Sequence, residues 1–227
     1  MRTLIVAATA ALAAGCFGGL KNEAVVPRIY RVDAPSLDTG SALAADLSVA
    51  VERTAPGLDG DGIAGRWPGS RLDYIAGARW AGELAGMLQS ALVQSFQDSG
   101  RLRSVQGDAG RFGVTHTLVI EVRRFEADYT AGGLPVAQVE LSATLGRNSD
   151  RRVLAAFTVN DSEPAAENRQ TSIVAALNAA FARAATELSE RTFEAIAAET
   201  KGTRPFSETG RQSGRAQVAE GAYPLRF

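Results

Sequence analysis

From residue 28 onward the chain runs through short alternations of apolar and polar positions, broken twice by a longer helical period. Residues 28–33 alternate and predict a first strand, stopped by Ala34-Pro35. Leu47, Val49 and Val51 share one face of a second strand over 47–52. A Gly- and Asp-rich turn follows at 56–62, then two short extended pieces at 63–67 and 71–75. Over 78–98 the period lengthens: Trp80, Leu84, Met87, Leu88, Ala91, Leu92 and Phe96 draw one apolar stripe, and Ser99-Gly100 supplies a stop.

Three strands then read as a meander. Over 114–124, Val114, His116, Leu118, Ile120 and Val122 share a face. Over 135–147 it is Ala137, Val139, Leu141, Ala143 and Leu145, opposite Gln138, Glu140, Ser142 and Thr144. Over 153–159 it is Val153, Ala155, Phe157 and Val159, with turns at Gly132-Gly133 and Asn148-Ser149-Asp150. A second helix is predicted over 171–200, with Ile173, Leu177, Phe181, Ala184 and Leu188 as its stripe. The stripe drifts to Phe193 and Ile196, which predicts a bend or a change of partner near Thr192. Two strand groups, each followed by an amphipathic helix, predict an α/β (α+β) sandwich. In it a mixed sheet carries two long amphipathic helices on one side. The polar faces of the meander strands are then left for solvent or a partner.

Ahead of this body stands a segment with different grammar. Arg2, an uncharged apolar run from Thr3 to Ala14, and the small residues Ala14 and Gly15 lead into Cys16, the only cysteine. The run fits a signal h-region of 7–15 residues and falls short of the roughly 20 needed to span a bilayer. The arrangement resembles a bacterial lipoprotein signal peptide, cut between Gly15 and Cys16, with Cys16 becoming the acylated first residue. The preferred leucine three places before the cysteine is replaced by Ala13, with Leu12 one earlier, so the match is to the looser pattern. A lone thiol is a liability in an oxidising compartment, and acylation removes it. Phe17 follows the cysteine in place of the aspartate that favours inner-membrane retention. The expected location is therefore the outer membrane, facing the periplasm. The expected organisation is a signal peptide at 1–15, a lipidated N-terminus and tether at 16–27, one domain over 28–202 and a flexible tail over 203–227.

Formal net charge is −1, which gives no electrostatic reason to expect nucleic acid. Gly60-Asp61-Gly62-Ile63-Ala64-Gly65 satisfies G-x-G-x-x-G, yet Gly65 leads into Arg66-Trp67-Pro68-Gly69, where a dinucleotide fingerprint would open a helix; the segment reads as a turn. Asp59 and Asp61 give only half the beginning of a calcium loop. His116 is the only histidine and falls on an apolar strand face. With Cys16 assigned to lipid, materials for a metal centre or a Cys/His pair are missing, and no G-x-S-x-G elbow occurs. No catalytic residue, metal site or cofactor is expected. The terminal Tyr223-Pro224-Leu225-Arg226-Phe227 imitates the last strand of an outer-membrane barrel, but two long helices leave too few strands for one. Tyr30, Trp67, Tyr74 and Trp80 have two readings, as core anchors or as the lining of an apolar groove or partner contact.

The chain also resembles a known family, the ABC-type transport auxiliary lipoproteins, which include the PqiC-like lipoproteins. The resemblance rests on the lipobox, on Tyr30-Arg31-Val32-Asp33-Ala34-Pro35, and on Pro56-Gly57-Leu58-Asp59-Gly60-Asp61-Gly62-Ile63-Ala64. It continues through Arg71-Leu72-Asp73-Tyr74-Ile75-Ala76-Gly77-Ala78-Arg79-Trp80-Ala81, Leu84, Leu88 and Leu92-Val93, and a late helix at 173–188. It implies an α/β sandwich similar to TolB N-terminal-type domains. It also implies work beside an ABC permease and ATPase and a periplasmic MCE-domain protein, moving lipids or other hydrophobic compounds between the two membranes. The lipoprotein would be the membrane-anchored component, possibly as a homo-oligomer, with no catalytic positions beyond the lipidated cysteine. A docking subunit, a periplasmic lipid carrier and a subunit of a secretion or envelope-integrity complex remain as alternative roles.

Overall fold

The computed structural model describes residues 26–107 and 113–202. Expectations that fall on Gly15, Cys16 and the rest of 1–25, and on 203–227, lie outside the described residues. The order is β1 (Arg28–Tyr30), β2 (Leu43–Thr54), β3 (Gly62–Trp67), β4 (Arg71–Trp80), α1 (Leu84–Asp98), β5 (Leu102–Gly107), β6 (His116–Asp128), β7 (Val136–Arg147), β8 (Arg152–Pro164) and α2 (Gln170–Gly202).

All eight strands join one mixed sheet with β6 at its centre. One side of β6 pairs antiparallel with β7, and β7 with the edge strand β8. The other side is shared. Parallel β2 covers its first half from Leu47↔His116 to Thr54↔Val122, and parallel β3 covers its end from Ala64↔Glu126 to Arg66↔Asp128. The sheet therefore forks: β2 leads out to β5, while β3 leads through β4 to β1. Residues 31–42 cross back over the helical layer, burying Leu37; there Asn178 of α2 accepts from the Asp33 N–H at 3.1 Å.

Both helices pack on one face. Phe96 of α1 meets Phe193 of α2 edge-to-face at 5.5 Å, and Trp80, Phe125 and Phe181 form an edge-to-face chain from β4 through β6 to α2. Ala176, Ala180, Ala184 and Ala185 are buried on the same helix, so its backbone sits close to the sheet. The change of partner expected near Thr192 is present: Phe181 packs on the sheet and Phe193 on α1. Helix α2 runs unbroken through that point.

Four differences from the sequence reading have physical causes. Residues 78–80 belong to β4, and α1 begins at Leu84. Trp80 and Leu84 lie four apart and fit a helical stripe, but pairing of Arg28–Tyr30 with Ala78–Trp80 takes the earlier residues into the sheet. Strand β5 went unpredicted because Leu102 and Val105 stand three apart, off the period of two. Strand β6 continues past Arg124 through a bulge between Val122 and Arg124, which brings Phe125 and Ala127 inward. Strand β8 has a bulge between Val153 and Ala155, opposite Leu145 and Gly146 of β7, which turns Val153 outward while Val159 stays buried.

Candidate functional site

The four aromatic residues singled out from sequence go to different places. Trp80 is 2% exposed and is a core anchor. Tyr30 is half-buried against the core, with its hydroxyl buried and unpartnered among the described residues. Trp67 and Tyr74 lie on the β3–β4 hairpin, on opposite faces of it: Gly65 pairs with Asp73 and Trp67 with Arg71 on one face, Ala64 with Tyr74 on the other.

Each ring folds over a glycine. A Cβ on Gly65 would lie 2.5 Å from the Trp67 ring, and a Cβ on Gly62 would lie 2.4 Å from the Tyr74 ring. Gly62 and Gly65 of the G-x-G-x-x-G stretch therefore serve ring packing, and the strand begins at Gly62, one residue ahead of the extended piece expected at 63–67. Tyr129, which the sequence reading did not single out, stacks on Trp67 at 4.7 Å and 6°. Arg71 lies over the indole ring at 5.3 Å. The Tyr129 hydroxyl donates to Asn168 at 3.1 Å, and burial raises its pKa. Trp67, Asp73, Tyr129, Asn168, Arg169 and Gln170 line a surface cleft of about 470 Å³ where α2 begins. On the other face, Tyr74 donates from its hydroxyl to the Gly57 carbonyl at 3.2 Å. A second cleft, of about 490 Å³, lies there between Pro27, the 59–62 turn and Ala76–Arg79.

Two charged groups also organise the sheet. Arg124 donates to Glu126 at 3.0 Å and to Asp128 at 2.9 Å on the helix-free face, and Asp128 also holds Arg66 at 3.7 Å. The Asp128 carboxyl, pushed up by burial, is brought below its ordinary value by the Thr130 and Arg124 hydrogen bonds. At the opposite end of β6, His116 and Arg147 converge on Glu199 of α2. Nearby, hydrogen bonds from Arg103 and Ser104 hold Asp46 at a pKa of about 2. The core-face reading of His116 is the one the structure gives, with the addition of this partner on α2.

No three His, Cys, Asp or Glu side chains among the described residues gather as a metal site. What these groups offer is recognition: aromatic edges, guanidinium groups and two surface clefts around one hairpin.

The sequence profile of the ABC-type transport auxiliary lipoprotein component family matches residues 33–189, more than half of the chain. The protein belongs to that family. The structure of this auxiliary lipoprotein is similar to the crystal structure of a DUF330-family protein from Xanthomonas campestris, at 30% identity and a TM-score of 0.70, covering 77% of this chain and 99% of that one. It also shares its fold with an uncharacterized protein at 16% identity and a TM-score of 0.55, covering 74% of this chain and 99% of the other. No curated protein matches it. The family match begins at Asp33 and takes in the aromatic hairpin, α1 and α2 as far as Ser189. No described helix of the auxiliary lipoprotein is long and apolar enough to cross a membrane.

Proposed function

We propose that this auxiliary lipoprotein is a non-catalytic docking subunit, anchored through acylated Cys16 to the periplasmic face of the outer membrane. Its partners are an MCE-domain protein and, through it, the permease and ATPase of an ABC-type transporter that moves lipids or other hydrophobic compounds between the membranes. ATP hydrolysis falls to the other subunits, since the chain has no G-x-x-x-x-G-K-[ST] phosphate loop.

One observation carries the choice of docking over lipid carriage. The space between helices and sheet, where a carrier would keep an apolar cavity of several hundred Å³, is occupied. Trp80, Phe96, Phe125 and Phe181 are all less than 2% exposed or at that limit, and the buried alanines of α2 bring its backbone down onto them. The clefts beside the hairpin lie at the surface and mix charged with apolar lining, which suits contact with another protein.

Native mass spectrometry of the detergent-extracted protein, alone and with the MCE and ABC subunits, tests this reading. A stoichiometric complex with the MCE protein and no retained lipid is expected. A one-to-one co-purified lipid with no partner would sink it in favour of a carrier.

A further inference from the structure

Six large apolar side chains are exposed among the described residues, and four of them, Val26, Ile29, Leu72 and Tyr74, stand at the corner where the chain enters the domain. Pairing register places three of these on one face. Ile29 pairs with Arg79, Arg79 with Gly62, Tyr74 with Ala64 and Leu72 with Arg66, so Ile29, Tyr74 and Leu72 all project from the helix-free side of the sheet. Val26 and Pro27 continue β1 along the same edge, and Pro27 and Tyr74 line the same cleft. The charges at this corner are Arg79 paired with Asp61 at 3.2 Å, Asp59 on the turn, and Arg66, which stands opposite Leu72 and is held by Asp128 at 3.7 Å; Arg28 alternates with Ile29 and projects from the other face.

We infer that this corner is the face the domain lays against the bilayer that holds its acyl chains. The inference rests on the anchor at Cys16 proposed above. Only residues 17–25 separate Cys16 from Val26. Ten Cα steps reach at most about 36 Å even fully extended, so the corner cannot leave the neighbourhood of the membrane. A connector this short holds the face at roughly millimolar effective concentration. A patch of a few apolar side chains, too small to bind lipid unaided, is then sufficient. Tyr74 brings an apolar ring with a polar tip, suited to the headgroup level. The far side of the molecule is unsuited to the same contact. There α2 presents Arg183, Glu187, Glu190, Arg191 and Glu194 outward, and lipid contact would strip water from all of them.

Spin labelling of the full lipidated chain tests this. Cys16 is the only cysteine and is blocked once acylated, so one introduced thiol is labelled alone. Ile29→Cys, Leu72→Cys and, as a control on the opposite side, Glu190→Cys are labelled and bound to vesicles of phosphatidylethanolamine and phosphatidylglycerol. Each label is relaxed by lipid-soluble oxygen and by a water-soluble nickel chelate. The oxygen-to-nickel ratio is expected to be several-fold higher at 29 and 72 than at 190. Flotation and the mass of the Cys16 peptide read the anchor separately. A chain that is acylated and floats, with equal water-like ratios at all three sites, overturns the membrane face alone and leaves the corner to a protein partner. A chain that is unacylated and does not float overturns the anchor and the face together.

Discussion

His116 Nε2 lies 2.7 Å from Glu199 Oε2, tying the first residue of β6 to the closing turns of α2 across 83 residues of chain. Arg147 donates to the other Glu199 oxygen at 2.6 Å and to Asp150 at 2.5 Å, and the Thr115 hydroxyl lies 2.8 Å from His116 Nδ1. Burial pushes the Glu199 carboxyl up, but the hydrogen bonds from His116 and Arg147 outweigh it and hold it below its ordinary value of 4.5. A carboxyl depressed in the folded state stabilises the fold fully above its unfolded value, and that stabilisation is lost as pH falls through the folded one. Glu199→Gln should therefore cost about 1.5–3 kcal/mol at pH 7, the range for hydrogen bonds to charged groups. The difference from wild type should shrink on acidification below 4.5. Urea denaturation of both proteins across that range checks this; a gap independent of pH would mean that the carboxylate charge is not its source.

The hairpin glycines make a sharper demand. At Gly65 an added methyl would enter the Trp67 ring, which stacks on Tyr129 and has Arg71 over it. Gly65→Ala should cost about 1–3 kcal/mol, the range for overpacking, and should shift the tryptophan emission as the indole leaves its stack. Gly60→Ala, with nothing within 4 Å of its new Cβ, should leave both stability and emission near wild type. Equal behaviour of the two variants would show that the Trp67 ring yields freely.

Much of this architecture is legible in the sequence wherever a period holds for two turns or more. The α2 stripe from Ile173 to Leu188 and the inward residues of β7 follow their periods, because each packs on one continuous surface there. Legibility fails where pairing overrides local pattern. Ala78–Trp80 has the spacing of a helix start but is claimed by β1, and the bulge after Val122 hides Phe125 and Tyr129 by changing which parity faces inward. Tyr129 is the half of the aromatic stack that sequence reading could not supply, since only the β3–β6 pairing at Arg66↔Asp128 brings it to Trp67. The same holds for Glu199 and His116, which no local spacing connects.

Arg124 is the hub of the helix-free face. Its guanidinium reaches Glu126, Asp128 and, at 3.4 Å, Gln138, while the Glu126 and Asp128 side chains are only 10% and 13% exposed. Arg124→Met strands the mostly buried Glu126 and leaves Asp128 with Thr130 and the more distant Arg66, and should cost about 1.5–3 kcal/mol. Adding Glu126→Gln should return part of that loss, because one stranded charge is gone. A double-mutant cycle by urea denaturation gives the coupling directly, and strictly additive losses would show that Arg124 and Glu126 do not stabilise one another.

The last prediction separates folding from placement. Every buried apolar side chain among the described residues lies at Pro35 or beyond, so no core contact there depends on Cys16. Cys16→Ser should leave the urea midpoint of the folded domain unchanged. On the anchor proposed above, the same change in the cell removes acyl chains that contribute about 0.8 kcal/mol per buried methylene, and no described helix is long and apolar enough to cross the membrane in their place. The docking partner then has to be found by diffusion through the periplasm, without the millimolar effective concentration that a short connector gives. Lipid transport by a strain carrying only Cys16→Ser should fall sharply, with the protein recovered at normal abundance in the soluble periplasmic fraction. Full transport activity from that soluble form would show that the anchor contributes nothing the domain cannot do unaided, and the docking role would have to be abandoned.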